Sequence, residues 1–237
     1  MSSISRRSLI AAAALAPVAL KAQTPAPAAM AERPDHFQLS IADLDQGIAI
    51  VRDLTGVEPA FGGAHPGNGT RNALLSLGDG SYLEILALDP AQPEVKTPRT
   101  EWIRSLTSPA IRTYAMRTTA IDRKQAAAQE IPGISGKLLP GSRKTPDGST
   151  LEWANLTLES PFGQQMPFFI DWKNSPHPSL NTPAGCHLLG FEVLHPDAQS
   201  LRDIYRKLEI AVSVNAAPKA GFIAHIATPK GTVTFLG

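Results

Sequence analysis

The chain has 237 residues, of which 43% are hydrophobic and 18% are charged. This apolar content excludes a wholly disordered chain, because disordered segments carry too few apolar side chains to build a core. The 22 basic and 21 acidic residues give a formal charge of +1, so nothing predicts non-specific binding to nucleic acid or to an acidic membrane surface. The single cysteine, Cys186, excludes an internal disulfide and a cysteine-based zinc cluster.

Residues 1–30 are predicted to be a signal peptide followed by a linker of small residues. A pair of arginines, Arg6 and Arg7, precedes an apolar, alanine-rich run over residues 11–20, and prolines and alanines follow it. A charged start, a short apolar stretch and small residues near a cleavage point are typical of secretion. The paired arginines resemble a twin-arginine signal, but Ala11 stands where lysine is common, so ordinary secretion and an uncleaved amphipathic tail stay open as alternatives. We expect a periplasmic or otherwise exported protein whose mature part is not inserted in a membrane.

The residues after this leader predict a β-α-β-β-β succession of elements. Polar and apolar side chains alternate over residues 36–41, as in a half-buried strand, whereas the apolar residues of 43–54 have a helical spacing that ends at Gly56. Three further strands are predicted at residues 57–61, 72–77 and 82–86, the last two as a hairpin. The first module therefore covers residues 34–88.

The same succession returns twice later in the chain, which indicates an internal repeat. The second module, residues 111–173, is predicted to contain a strand at 113–118, a helix at 122–130 and later strands at 151–158 and 167–172. The third module, residues 186–237, is predicted to contain a strand at 187–194, a helix at 196–208 and a last strand at 232–236. The mature part, residues 31–237, is thus expected to be one assembly of three related modules.

Five short motifs support the repeat and occur in a fixed order. They are Asp35-His36-Phe37, the run from Gly63 to Leu74, Tyr82-Leu83-Glu84-Ile85, Pro167-Phe168-Phe169-Ile170-Asp171-Trp172 and His195-Pro196-Asp197. With these motifs the chain resembles the βαβββ modules of the vicinal-oxygen-chelate superfamily, and specifically its glyoxalase-like domain proteins. The resemblance implies an α+β fold in which two modules curl a mixed sheet into a cup, with a third degenerate module completing or covering it. It also implies a divalent metal held by the first and last strands of each module.

The polar faces of these strands predict what such a cup contains. Alternation places His36 among the polar side chains of its strand and Glu84 among those of another, and the family topology implies that the two meet in the concavity. Imidazole and carboxylate groups suit zinc, iron, manganese or nickel. The second module has Asp171 where the first has Glu84, but Thr113 where it has His36, so the expected metal ligands are His36, Glu84 and Asp171. Because a four-ligand set is incomplete, a cup without metal stays an open alternative.

Further side chains are expected to contact the substrate or to take part in catalysis. The candidate catalytic residues are Glu84, as metal ligand or general base, and His65, which lies in a glycine-rich loop and would orient the substrate. Substrate-binding residues are expected from both modules, namely Asn72, Trp153, Asn155 and Arg117. Packing between modules is the alternative role for the last three.

Two classes of function follow from these expectations. The first is an exported, metal-dependent enzyme, a lyase, isomerase or dioxygenase, that acts on a small oxygenated organic substrate through adjacent oxygens on the metal. The second is a metal-free protein that binds or sequesters a small molecule in the same cup. Neither class requires a nucleic-acid partner, and a homodimer is compatible with both.

Overall fold

The computed structural model describes residues 34–145 and 147–237, so the predicted signal peptide and linker, residues 1–30, lie outside the described residues. Within these ranges the chain forms twelve strands and four α-helices. In chain order they are β1 (His36–Ser40), α1 (Leu44–Thr55), β2 (Ala60–His65), β3 (Thr70–Ser76), β4 (Tyr82–Leu88), α2 (Pro98–Arg104), β5 (Ala110–Arg117), α3 (Ile121–Gln129), β6 (Ser135–Lys144), β7 (Thr150–Glu159), β8 (Phe168–Asp171), β9 (His187–His195), α4 (Ala198–Lys207), β10 (Ser213–Ala216), β11 (Gly221–Thr228) and β12 (Gly231–Leu236).

The first eight strands form one mixed sheet with the order β2-β3-β4-β1-β5-β8-β7-β6. Its two halves have the same pairing: β1 lies parallel to β4, β5 lies parallel to β8, and β1 and β5 meet antiparallel at the centre. The sheet curls until its edge strands approach each other, where Arg143 of β6 donates a hydrogen bond to the carbonyl of Gly62 in β2. The predicted α+β fold with a curved mixed sheet is confirmed.

Helix α1 shows how local sequence sets these elements. The Asp43 side chain accepts a hydrogen bond of 2.8 Å from the backbone N–H of Gln46 and so caps the first turn. Gly56 ends the helix at a φ of 81°, a left-handed conformation that a residue without a Cβ adopts at little cost. The buried side chains of Leu44 and Val51 face the sheet between these ends. The helix therefore covers the back of the first half.

Strand alternation divides the sheet into a polar concave face and an apolar back. In β1, His36 and Gln38 point into the cup, whereas Phe37 and Leu39 belong to the main hydrophobic core. Helices α1 and α3 pack on the backs of the outer strands of the two halves. The concave face is thereby left for polar chemistry.

Strand β6 was not predicted from the sequence. Its residues include Gly136, Pro140 and Gly141, which break the pattern of a strand, and most of its side chains are at least partly exposed. The strand lies at the edge of the sheet, where one side of its backbone needs no partner, so a proline is tolerated. The second half consequently has all the strands of the first, although only three were expected.

The third unit keeps the predicted order of elements but pairs its strands differently. Its sheet has the order β10-β9-β11-β12. Strand β9 pairs with β10, to which helix α4 connects it, and β11 separates β9 from the last strand. In the first two units the first and last strands are neighbours. Leu188 and Thr234, which the repeat aligns with His36 and Glu84, therefore do not form an equivalent pair.

The third unit packs behind the cup and neither completes nor covers it. Phe191 stacks on Phe37 with ring centroids 5.5 Å apart and contacts Tyr114 at 4.9 Å. The hydroxyl of Tyr114 donates a hydrogen bond of 2.7 Å to that of Tyr205 in α4. The physical reason is that the helices leave the apolar back of the central strands β1 and β5 open, and the third unit buries it. Across the described residues, no helix is both long and apolar enough to span a membrane.

Candidate functional site in the cup

The concave face holds a cavity of about 290 Å³ to which both halves of the sheet contribute. The first half supplies mainly polar side chains: His36, Gln38, His65, Asn72, Tyr82 and Glu84. The second half supplies mainly apolar and aromatic ones, together with one cation and one amide: Arg143, Trp153, Asn155, Phe168, Ile170 and Trp172. Arg99, at the start of α2, stands exposed beside the cavity.

Glu84 is the charged centre of the cup and is only 5% exposed. Its Oε1 accepts a hydrogen bond of 2.7 Å from Nδ2 of Asn72, and its Oε2 accepts one of 2.8 Å from Nε2 of Gln38. Burial raises the pKa of Glu84, but the electrostatic effect of the neighbouring His36 and His65 side chains and these two hydrogen bonds outweigh it, so its pKa lies below the ordinary value. The carboxylate is therefore ionised at neutral pH.

His36 is held in one orientation beside this carboxylate. Its Nδ1 lies 2.8 Å from Oδ1 of Asp35, which leaves Nε2 directed to the cup, 3.7 Å from Oε2 of Glu84. The ring stacks on Tyr82 at 4.6 Å, and Phe168 contacts it edge-on at 5.5 Å. A histidine whose second nitrogen is fixed by a carboxylate presents a defined nitrogen to a ligand.

Asp35 is fully buried and contacts four side chains from separate parts of the sheet and of the segment that follows it. Its Oδ2 accepts hydrogen bonds from Nε of Arg117 at 2.9 Å and Nε1 of Trp172 at 3.1 Å, and lies 2.8 Å from Nε2 of His177. Burial raises the pKa of Asp35, but hydrogen bonds from His177 and His36 outweigh it and hold the pKa well below its usual range. Asp35 thus positions His36 from outside the cavity.

His65, the second histidine of the cup, is neutral. Its Nδ1 lies 3.0 Å from Oγ1 of Thr70, and its Nε2 lies 3.3 Å from Nδ2 of Asn72. Burial lowers its pKa and outweighs the opposite effect of Glu84, whose Oε1 lies 3.9 Å away. The side-chain nitrogen of Asn72 can only donate a hydrogen bond, so Nε2 of His65 is the acceptor. The proton of the neutral ring therefore lies on Nδ1.

Glycine at position 62 is required by this arrangement. A Cβ built on Gly62 would collide with Oδ1 of Asn72, so the close approach of β2 to β3 depends on the absence of a side chain. The same residue offers its carbonyl to Arg143 from the opposite edge of the sheet. The glycines of this segment thus bring His65, Asn72 and Arg143 together.

Arg143 is the buried cation of the cup and is 6% exposed. Burial lowers its pKa, and the nearby Tyr82 and Glu84 side chains partly offset this effect, but a guanidinium stays charged in proteins. On the neighbouring wall of the cup, the ring centroids of Trp153 and Trp172 lie 5.6 Å apart. The cup thus combines a cation with aromatic surface.

Three buried amide oxygens of the cup have no hydrogen-bond partner within residues 34–145 and 147–237. They are Oε1 of Gln38, Oδ1 of Asn72 and Oδ1 of Asn155. The side-chain nitrogens of Gln38 and Asn72 donate hydrogen bonds to Glu84. These two amides therefore cannot be flipped to exchange their oxygen and nitrogen atoms. Unpaired buried acceptors are costly, and donors from a ligand would satisfy those that face the cavity.

The structure brings six of the eight predicted site residues into this cavity: His36, His65, Asn72, Glu84, Trp153 and Asn155. Asp171, expected as a third metal ligand, is not among them. In β8 the side chains of Phe168 and Ile170 face the cup, so Asp171 points to the opposite side, with its Oδ2 3.3 Å from Nζ of Lys173. The alignment of Asp171 with Glu84 is therefore wrong by one residue.

Arg117, expected to bind substrate, also lies elsewhere. Its Nε donates to Asp35, and its Nη2 donates to the carbonyl of Gly80. These contacts tie β5 to the start of β1 and to the turn before β4. Arg117 thus pairs with the buried Asp35 from a side chain that is itself 38% exposed and lies outside the cavity.

Sequence reasoning missed Gln38, Arg143 and Asp35 as parts of the site. Strand alternation places Gln38 beside His36 on the polar face and is the signal that identifies it. Arg143 lies on the strand that was not predicted. Asp35 precedes His36 directly, but nothing in one sequence indicates that it is fully buried.

The donor set of the cup does not fit the divalent metal implied by the family. Within the described ranges, no group of three or more His, Cys, Asp and Glu side chains is placed to hold a metal ion. Both oxygens of Glu84 face amide hydrogens, and Nε2 of His65 faces another, so the donors do not converge on one point. In the second half, Ala115 pairs with His36 of β1 and with Phe168 of β8, and Ile170 lies on the same face of β8 as Phe168. None of these three side chains can bind a metal.

Comparisons with known proteins agree with this architecture. A family model described as "Glyoxalase-like domain" matches residues 35–209, which include the whole eight-stranded sheet. No curated protein matches the sequence. A hypothetical protein from Staphylococcus aureus has a similar structure over 86% of this chain and 84% of its own, with 16% identity and a TM-score of 0.58. Methylmalonyl-CoA epimerase from Mycobacterium tuberculosis matches 60% of this chain and 88% of its own, with 18% identity and a TM-score of 0.42.

Proposed function

Because this chain belongs to the glyoxalase-like domain family, we propose that its cup binds a small oxygenated organic anion. The observation that carries the proposal is the placement of buried Arg143 beside the aromatic wall of Trp153 and Trp172. A guanidinium can bind a carboxylate through two parallel hydrogen bonds, and an aromatic wall beside it shields this contact from water.

The charges of the cup favour an anion over a cation. The negative charge of Glu84 is already stabilised by Gln38 and Asn72, and His36 lies beside it. Arg143, and Arg99 at the mouth, have no acidic partner within hydrogen-bond distance among residues 34–145 and 147–237. An incoming carboxylate would therefore meet uncompensated positive charge.

The proposal does not require a resident metal, because the donor set of the cup does not fit one. The resemblance implies a metal-dependent lyase or isomerase instead, and a metal titration tests this alternative. Export through residues 1–30 stays part of the proposal, and fractionation of cells that express the full chain tests it.

Proton transfer on the bound anion is a second candidate function. The observation that favours it is the neutral Nε2 of His65, which lies in the cavity beside the ionised Glu84. A C–H bond next to the keto group of a bound 2-oxo acid would give its proton to Nε2, in place of the hydrogen bond from Asn72, and the resulting imidazolium would be stabilised by Glu84. The remaining enolate charge would lie on the ligand near the Arg143 guanidinium.

Binding is tested by titrating the metal-free protein with acetate, pyruvate and benzoate while the backbone amide shifts are followed by NMR. We expect millimolar or tighter binding of at least one carboxylate, weakened at least tenfold by Arg143→Gln. Arg123→Gln is the matched control, because Arg123 is exposed on α3 and far from the cup. The proposal is wrong if no carboxylate binds, or if binding appears only after Zn²⁺, Fe²⁺, Mn²⁺ or Ni²⁺ is added.

Proton transfer is tested separately by following exchange of the pyruvate methyl protons in D₂O. We expect exchange above the buffer rate that falls about 100-fold in His65→Gln, with pyruvate affinity changed less than threefold. Exchange at the buffer rate in the wild type would exclude this second function and leave the binding function intact.

A further inference from the structure

A second cavity, of about 410 Å³, lies on the other side of Arg143. We call it the second chamber. Its apolar lining comes from separate parts of the chain: Phe61, Leu74, Leu151, Pro176 and Pro178. Arg143 is the residue that lines both the cup and this chamber.

The backbone explains why Arg143 stands between the two spaces. It pairs with Leu151 in the ladder of β6 and β7, and its side chain crosses to β2, where Nη1 donates to the carbonyl of Gly62. No other hydrogen bond of this guanidinium occurs within residues 34–145 and 147–237. Two of its donor nitrogens are therefore available to a ligand on either side.

The walls of the second chamber are suited to an apolar group. Phe61 is 49% exposed although it lies beside a concavity, whereas Leu74 on the neighbouring strand β3 is 3% exposed. An apolar ligand would remove the exposed part of Phe61 from water and gain about 25 cal/mol per Å² of buried surface. The connector that contributes Pro176 and Pro178 lies along one side of this space.

The chamber also contains polar groups, and they do not oppose this assignment. The Oγ1 of Thr182 is buried without a partner in the described part of the chain, so it would accept or donate one hydrogen bond. The carboxylate of Asp147 accepts hydrogen bonds from Thr145 and from the backbone N–H of Ser149 at the surface. Its charge is thus satisfied away from Arg143.

We propose that the second chamber holds the apolar body of the ligand whose carboxylate is bound by Arg143, so the ligand class is an amphipathic monocarboxylate. This inference rests on the proposed function. The carboxylate binds Arg143, and the apolar body is better placed against the apolar lining of the second chamber than beside the ionised Glu84 and its polar neighbours. The rest of the molecule then extends past Arg143, away from the carboxylate of Glu84.

The test compares acetate, butanoate and hexanoate, with the amide shift of Gly62 as the readout. Because each buried methylene adds about 0.8 kcal/mol, the affinity should rise up to about fourfold per methylene, and hexanoate should bind at least 30-fold more tightly than acetate. Hexylamine, which has the same body and the opposite charge, should not bind.

Variants of the chamber separate its role from that of the cup. Leu151→Trp fills the chamber, so the affinities of this variant for hexanoate and for acetate should become equal. Phe61→Ala, at a half-exposed position that tolerates truncation, should weaken hexanoate five- to tenfold even if Leu151→Trp does not fold. Leu236→Trp is the matched control, because Leu236 is 61% exposed on β12.

The outcomes distinguish this inference from the proposed function. If acetate and hexanoate bind equally, and Arg143→Gln weakens both, the second chamber is not part of the site and the cup proposal stands. If neither acid binds, the proposed function itself is wrong. If hexylamine binds as tightly as hexanoate, the assignment of an anionic ligand class is overturned.

Discussion

The two halves of the large sheet share a topology but differ in chemistry. His36 pairs with Tyr82 across β1 and β4, whereas Ala115 pairs with Phe168 at the corresponding place in β5 and β8. The first half carries the titratable groups and the second half the aromatic wall. Strand pairing depends on the backbone, so one repeat can keep its shape while the side chains on its concave face change completely.

The difference also shows where buried charge finds its partners. The carboxylate of Asp35 in the first half contacts Arg117, Trp172 and His177, all of which lie in the second half or in the connector after it. Glu84 is stabilised by Gln38 and Asn72 from its own half. The halves therefore depend on each other unequally, and three substitutions measure this dependence.

The largest effect is expected from Asp35→Asn. This change leaves the buried groups around it without their acceptor, so the free energy of unfolding should fall by about 3–5 kcal/mol. Because the pKa of Asp35 is lower in the folded chain than in the unfolded chain, its stabilisation is present above about pH 3.9 and is lost as the pH falls further.

Urea unfolding at pH 7 and pH 3.5 measures both effects. The wild type should lose more stability than Asp35→Asn between these two pH values. Asp203→Asn, at an exposed residue of α4, is the control and should change the free energy of unfolding by less than about 1 kcal/mol. If the wild type and Asp35→Asn lose the same free energy of unfolding between the two pH values, Asp35 does not join the halves.

A smaller effect is expected from Glu84→Gln. The new amide has one oxygen for two amide donors, so one N–H₂ group must face another, and unfolding at pH 7 should become easier by about 1–3 kcal/mol. The folded-state pKa of Glu84 is also lowered, so its contribution is lost as the pH falls below about 4.3. Denaturant titration of the variant at pH 7 measures this loss in the free energy of unfolding. An unchanged midpoint of the unfolding transition would contradict the role of Glu84 as the centre of the network.

The smallest effect is expected from Asp171→Asn, the matched change in the second half. The side-chain oxygen can still accept the N–H of Lys173, and only an exposed ion pair is lost, so the free energy of unfolding should change by less than about 1 kcal/mol. Carboxylate affinity should also stay the same within twofold. A loss of binding in this variant would contradict the position of Asp171 outside the cup.

Much of the first half can be predicted from the sequence because its strands alternate between apolar side chains in the core and polar side chains in the cup. The alternation around His36 and Phe37 is regular, and helix α1 has a capping aspartate and a terminal glycine. Strand β6 could not be predicted, because an edge strand is free to contain Pro140 and exposed polar residues. Arg143 was missed for the same reason.

The parts of the site that failed depend on register and on distant pairing. A one-residue difference in the alignment of β8 moves Asp171 from the cup to the other face of the sheet, since the side-chain period of a strand is two. Likewise, the order of strands in the third unit is set by which edges pair in space, and the spacing of elements along the chain does not determine it.

The contact between Phe37 and Phe191 has a consequence for cooperativity. Phe37 is the residue after His36, so the backbone that carries the histidine also forms part of the interface with the smaller sheet. Opening that interface would expose Phe37, Tyr114 and Phe191 together and would displace strand β1 at the same time. The two sheets should therefore unfold in one transition, in which the cup loses its geometry as soon as the aromatic layer behind it is solvated.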